Sequence, residues 1–200
     1  MAEIDQEELI ASAQADALVH DYTSSLRENS VSRAIDGIVG FVGELFSWLW
    51  VALLVVIIGN VILRYVFSQG MIELEDLQWY LYAAAWLVGM SYTFIHDGHV
   101  RVDVIYESRS RTTQLWLEMF GLLVLFLPFV CFVFYFSLPF VELSWVKGET
   151  STSANGLPMR WLIKGCLAFS FVLLFLVGVS RVIRVASTIK HGSVTSTKAP

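Results

Sequence analysis

Charge is what this 200-residue sequence has least of. Asp, Glu, Lys and Arg make up 16% of it, against 56% hydrophobic residues. Soluble domains are about 25% charged and about 45–50% apolar, so there is too little charge here to cover the surface of a soluble monomer. Cysteine is nearly absent: Cys131 and Cys166 are the two, both in apolar stretches where a thiol behaves as a small apolar side chain. Neither a disulfide framework nor a redox pair is implied. The four histidines are His20, His96, His99 and His191. None lies deep in an apolar run, which argues against the axial ligands of a membrane haem protein. Phosphate loops, dinucleotide fingerprints, Gly-x-Ser-x-Gly and His-Glu-x-x-His sequences are also missing. No catalytic constellation and no cofactor are therefore expected, and no enzyme.

What charge there is sits unevenly. Residues 1–36 hold eight acids (Glu3, Asp5, Glu7, Glu8, Asp16, Asp21, Glu28 and Asp36) against Arg27 and Arg33. The rest of the chain holds ten acids and eleven bases, so the net charge of -5 belongs to an acidic tail on a nearly neutral body. Neither part suits nucleic acid. The tail has scattered Ile4, Leu9, Ile10, Leu18 and Val19, enough for a weak amphipathic helix and too little for a core, so it reads as mobile or weakly helical. The first 30 residues lack the apolar core of a secretory signal, and the first apolar run is expected to serve as the insertion signal.

Four apolar runs dominate the remainder. Residues 45–63 and 77–95 are each uncharged over 19 positions, 119–141 over 23 and 165–180 over 16. A helix crosses a bilayer core in roughly 20 apolar residues. A soluble bundle would need polar outer faces, which the first and third runs lack. The expected fold is an all-α integral membrane protein with four transmembrane helices near 37–66, 76–96, 112–146 and 160–185. They form a membrane domain over 35–187, between tails at 1–34 and 188–200. Pro128 and Pro139 are candidate kinks in the third helix. Trp79, Trp116, Trp145 and Trp161 lie near span ends, where indole rings favour the interface.

With four spans, one side of the membrane collects Arg27, Arg33, Arg101, Arg109, Arg111, Arg181, Arg184, Lys190 and Lys198. The other has Arg64, Lys147, Arg160 and Lys164. Loops rich in Lys and Arg stay in the cytoplasm, so both termini are expected there.

Polar residues in such helices are costly and each needs a reason. Asn60 and Arg64 stand one helical turn apart on one face; they meet a partner, or Arg64 snorkels to headgroups while Asn60 bonds within the bundle. His96, Asp97, His99 and Asp103 superficially resemble a metal site. Gly98 and the end of the span favour a polar turn instead, and no second ligand group stands elsewhere. Glu75 and Asp76 open the second run, where acids suit a helix N-terminus or a partner. Lys164 has Glu142 as a possible partner, or reaches outward. Gly37, Gly40, Gly43, and Ala85 with Gly89, offer small-residue packing surfaces. The residues alone reach a four-helix membrane protein that binds other proteins.

A series of motifs adds to this. Asn60-Val61-Ile62-Leu63-Arg64-Tyr65-Val66-Phe67 ends the first run, and Glu75-Asp76-Leu77 starts the second, which contains Gly89. Gly98-His99-Val100-Arg101-Val102-Asp103 follows. Ser144-Trp145, Glu149, Ser151, Gly156-Leu157-Pro158 and Arg160-Trp161 precede the fourth run. In this order, from about residue 37 to 187, they resemble the small Q-type (DctQ-like) subunit of tripartite ATP-independent periplasmic (TRAP) transporters. The resemblance implies a scaffold for a large M-type permease subunit, which carries the substrate and ion sites and moves as an elevator. It also implies a periplasmic substrate-binding protein as partner, and import of an organic acid on an ion gradient, with sodium the expected ion, in the bacterial inner membrane. Under it, Arg64, Tyr65 and Phe67, with Glu149 and Ser151, are expected to dock the binding protein. Asn60, Glu75, Gly89, His99, Arg101 and Asp103 are expected to serve structure or contact with the large subunit. Membrane lipid covers what remains. Two other classes fit the composition: a homo-oligomeric carrier or channel, and the membrane anchor of an enzyme.

The topology has a direct test. In a background without Cys131 and Cys166, a thiol reagent unable to cross the membrane is expected to label Ser151→Cys and spare Ser110→Cys. The reverse pattern inverts the topology.

Overall fold

The computed structural model of the chain describes residues 26, 29–96, 111–151 and 156–191. The acidic tail before Leu26, the segment with His99, Arg101 and Asp103, and the tail after His191 lie outside the described residues. Within them the secondary structure is helical, without a strand. Helix α1 spans Ser30–Val66 and α2 spans Ile72–Ile95. Helix α3 runs through Arg111–Phe120, a π-helical turn Gly121–Phe126, and Leu127–Val146. Helix α4 spans Arg160–His191. Three of the four, α1, α3 and α4, are long and apolar enough to cross a membrane. Helix α2 is shorter, and Glu73, Glu75 and Asp76 occupy its first turns.

Local chemistry sets the ends. Asn29 caps α1: its side-chain oxygen accepts from the Ser30 amide at 2.8 Å, and its own amide donates to Ser32 Oγ at 3.1 Å. This reciprocal cap satisfies donors that a helix start leaves open, and it lets α1 begin well before residue 37. The π turn in α3 has the Leu127 amide donating to the Leu122 carbonyl, immediately before Pro128. A proline ring clashes with the carbonyl four residues back, and a wider turn relieves that crowding. Pro139 sits inside the following α-helical segment.

Helix α4 is the centre. A third (33%) of its most apolar window is buried, against 11% for α1 and for α3. It touches all three other helices, whereas α3 rests chiefly on α4. Val39, Val88, Leu173 and Val177 join α1, α2 and α4; Val130, Phe171 and Leu174 join α3 to α4. Leu26 is buried with Leu115, Leu122 and Val185, so the tail residue just before α1 is tied into the bundle. Gly43 is the small residue that packing requires, because a Cβ there would lie 2.7 Å from Tyr92 Cβ. Gly37, Gly40 and Gly89 have open space beside them. Large apolar side chains face outward along α1 and α3, including Phe41, Trp48, Val55, Phe129, Phe132 and Tyr135. Such a surface belongs in lipid or against a partner.

Contacts fix the direction of each helix. Gly43 meets Tyr92 and Trp50 meets Tyr82, so α1 and α2 are antiparallel. Glu118 meets Arg181 while Trp145 meets Trp161, so α3 and α4 are antiparallel too. The α1–α2 and α3–α4 connections therefore share one end, here the hairpin end. The start of α1 and the end of α4 share the other, the terminal end.

The terminal end is closed by charge. Arg181 Nε donates to Glu118 Oε1 at 2.7 Å, with the two side chains 6% and 9% exposed. Arg184 pairs with Asp36, which also accepts from Ser180 Oγ at 2.8 Å. Removing one member of a buried pair strands the other charge, at a cost of about 3–5 kcal/mol. Glu118→Ala is expected to lower the thermal midpoint of the detergent-solubilised protein strongly. The double replacement Glu118→Leu/Arg181→Met is expected to recover most of that loss; a double variant as unstable as the single one contradicts the account.

Candidate functional site

The hairpin end carries most of the residues singled out in the sequence. Arg64 lies in the last turn of α1, and its guanidinium stands 3.4 Å from Glu75 Oε1 at the start of α2, with side chains 62% and 47% exposed. A pair this open contributes little to stability, which leaves both charges accessible. Tyr65 and Phe67 are beside it, Tyr65 being 79% exposed. Ser68 adopts a left-handed conformation at φ 53° and turns the chain toward α2. Asn60, one turn earlier, is buried, and its Oδ1 takes no protein hydrogen bond among the described residues.

The second connection is built more tightly. Helix α3 ends in a Schellman motif: Gly148 takes φ +57°, its amide donates to the Trp145 carbonyl, and the Glu149 amide donates to the Ser144 carbonyl at 3.1 Å. A left-handed residue after the last turn is cheap for glycine. It folds Glu149 back over the start of α4, where its carboxylate meets Lys164 and lies 3.8 Å from Arg160. Two backbone bonds close the loop: Ser151 amide to Leu157 carbonyl at 3.1 Å, and Arg160 amide to Glu149 carbonyl at 3.3 Å. Trp145 and Trp161 meet edge to face at 4.5 Å beneath it. Lys164, with Glu142 as its possible partner in sequence, is held by Glu149 and lies 3.9 Å from the Phe140 ring centre.

Adjacent acids join the two connections. Glu75 reaches Arg64 in α1, while Asp76 Oδ2 accepts the Leu157 amide at 3.1 Å, just before α4. Arg64 and Glu75 are thus brought together, and Glu149 and Ser151 are held in the neighbouring loop. Lys164 and Asp76 are the residues whose roles were missed. The signal available for them was the doublet of acids and the glycine of Gly156-Leu157-Pro158, both of which need the two hairpins side by side to acquire meaning.

Elsewhere, an apolar groove of about 570 Å³ runs between α2 and α3 over α4, lined by Trp86, Gly89, Met90, Phe129, Phe171 and Leu174 among others. Gly89 opens onto it. Among the described residues there is no group of three or more His, Cys, Asp or Glu able to hold a metal. The arrangement supplies charge, aromatic surface and apolar faces for binding, with no nucleophile–base pair.

The sequence model of the DctQ component of tripartite ATP-independent periplasmic transporters matches residues 53–188, more than half of the chain. The chain belongs to that family. The match begins later than residue 37, where the motifs start, and takes in the second half of α1 and nearly all of the rest. No curated protein sequence matches the chain. As a DctQ component it is a multi-pass membrane protein and a small subunit of a tripartite transporter that has other subunits. The hairpin-end residues Asn60, Arg64, Glu75, Asp76, Glu149 and Ser151 all fall within the matched region.

The hydrogen bond from Lys164 holds the Glu149 carboxyl below its ordinary value of 4.5, aided by the charges of Lys164 and Arg160. A lowered carboxyl value means the pairing is fully present above the ordinary value and is lost as pH falls through the lowered one. Fluorescence of the Trp145–Trp161 pair and amide exchange at Arg160 are therefore expected to stay constant through neutral pH and to change only in acid below 4.5. Glu149→Gln is expected to abolish that acid transition; its persistence in the variant rules the assignment out.

Proposed function

We propose that this DctQ component is the scaffold subunit of a TRAP-type secondary importer of an organic acid, driven by a sodium gradient in the bacterial inner membrane. It braces the large permease subunit and offers the hairpin end to the periplasmic binding protein. The observation that carries this reading is the division of the molecule. Its body is apolar on the outside and closed by ion pairs within, while Arg64, Tyr65 and Phe67 stand exposed at one end beside the pinned loop of Glu149 and Ser151.

Four spans are part of the proposal. Helix α2 has 24 residues, about 36 Å at 1.5 Å per residue, which is enough for a ~30 Å core. The greater number of Lys and Arg at the terminal end supports cytoplasmic termini and a periplasmic hairpin end. Open space beside Gly89, and the groove it lines, supports contact with the large subunit on that face, together with Asn60 and Glu75. His99, Arg101 and Asp103 belong to the opposite, cytoplasmic end in this scheme.

Arg64→Ala tests the docking role. Uptake by proteoliposomes holding both membrane subunits and supplied with the binding protein is expected to fall several-fold, while the two membrane subunits still co-purify. Unchanged uptake, or loss of the complex, defeats the docking role.

A further inference from the structure

Asp76 is mostly buried, at 8% exposure, although it lies in the first turns of a helix beside the open Glu75. Its neighbours give a reason. Oδ2 accepts the Leu157 amide at 3.1 Å, across a sequence distance of 81 residues. Gly156 lies against the same carboxylate: a Cβ there would stand 2.8 Å from Asp76 Oδ2 and would overlap Ser151. The residue must therefore be glycine for the backbone to reach the acid. The Leu157 carbonyl in turn accepts the Ser151 amide at 3.1 Å. One carboxylate thus holds the returning strand of the loop, and that strand holds Ser151.

We infer that Asp76 is the positioning residue of the binding-protein docking surface. Through Leu157 and Gly156 it fixes the loop carrying Glu149 and Ser151 at a set place beside the Arg64–Glu75 pair. This rests on the docking reading and adds to it the part that joins the two hairpins. The chemistry fits the task. A hydrogen bond from a backbone amide to a carboxylate is stronger than one between neutral groups, and an acceptor placed on a rigid helix holds a loop more closely than another loop residue does. A partner meeting both connections at once then finds them already in register, and does not lose affinity to ordering them.

Asp76→Ala and Asp76→Asn, made in the full complex with the large subunit, separate this from a general structural role. Two readouts are taken: amide exchange over residues 156–158, and the apparent KM for the binding protein against the maximal uptake rate. Asp76→Ala is expected to speed exchange and raise that KM about tenfold, with the maximal rate and co-purification unchanged. Asp76→Asn keeps an acceptor oxygen and is expected to restore most of both. Gly156→Ala is expected to act as Asp76→Ala does, through displacement of the loop.

Exchange unaltered in Asp76→Ala overturns the pin itself. Faster exchange with an unchanged KM, while Arg64→Ala raises it, overturns the link between pin and docking. If neither Asp76→Ala nor Arg64→Ala moves the KM, the docking reading fails and the inference fails with it. Loss of the complex in Asp76→Ala, with exchange and KM in Asp76→Asn and Gly156→Ala both normal, also overturns it.

Discussion

A charge buried among helices must find its counter-charge, and this requirement orders the whole bundle. Arg181 and Arg184 sit one turn apart on α4 and reach in two directions, to Glu118 on α3 and to Asp36 on α1. Apolar packing alone would let long helices slide and rotate, because lipid solvates leucine as well as a neighbouring helix does. Two ion pairs from one helix to two others fix register and rotation together. That locks α1 and α3 to α4 at the terminal end, and the antiparallel course of the helices then carries the alignment to the hairpin end. There the start of α2 can meet the loop before α4 closely enough for a single carboxylate to join them.

How much of this is legible in the sequence depends on whether a feature is local. Apolar runs report their own burial preference, and helices cover all four. The motifs around Asn60, Glu75 and Gly156 lie within the region that identifies the family. Helix α1 starts at Ser30, earlier than the apolar run requires, because Asn29 and Ser32 cap it and Asp36 has its partner on α4. Pairings across the bundle were not legible. Lys164 could have met Glu142 by position along two helices, but the left-handed turn at Gly148 brings Glu149 to it instead. Asp76 reads in sequence as one more acid suiting a helix N-terminus. Its use as an acceptor for Leu157 depends on the approach of a loop far along the chain.

The same distinction explains the glycines. Spacing alone gives Gly37, Gly40, Gly43 and Gly89 equal standing as packing positions. Only Gly43 has a neighbour, Tyr92, that would exclude a side chain. Gly89 opens onto the groove between α2 and α3, which exists because α3 rests on α4 and leaves α2 uncovered on that side. A helix pair kept apart in this way exposes apolar surface that a single compact bundle would have buried. In a subunit belonging to a larger transporter, such a face is where association is least costly.

A subunit that supports a moving partner must itself resist movement, and the interactions here are placed accordingly. The strongest are internal: buried ion pairs at one end, and at the other a loop closed by backbone bonds and a carboxylate. The exposed Arg64–Glu75 pair is the exception, weak because water competes for both charges. Weakness there is useful, since an incoming protein can take over either charge without first breaking a buried contact. Stability thus comes from pairs that solvent cannot reach, and recognition from one that it can. This separation lets the chain stay rigid while it binds and releases.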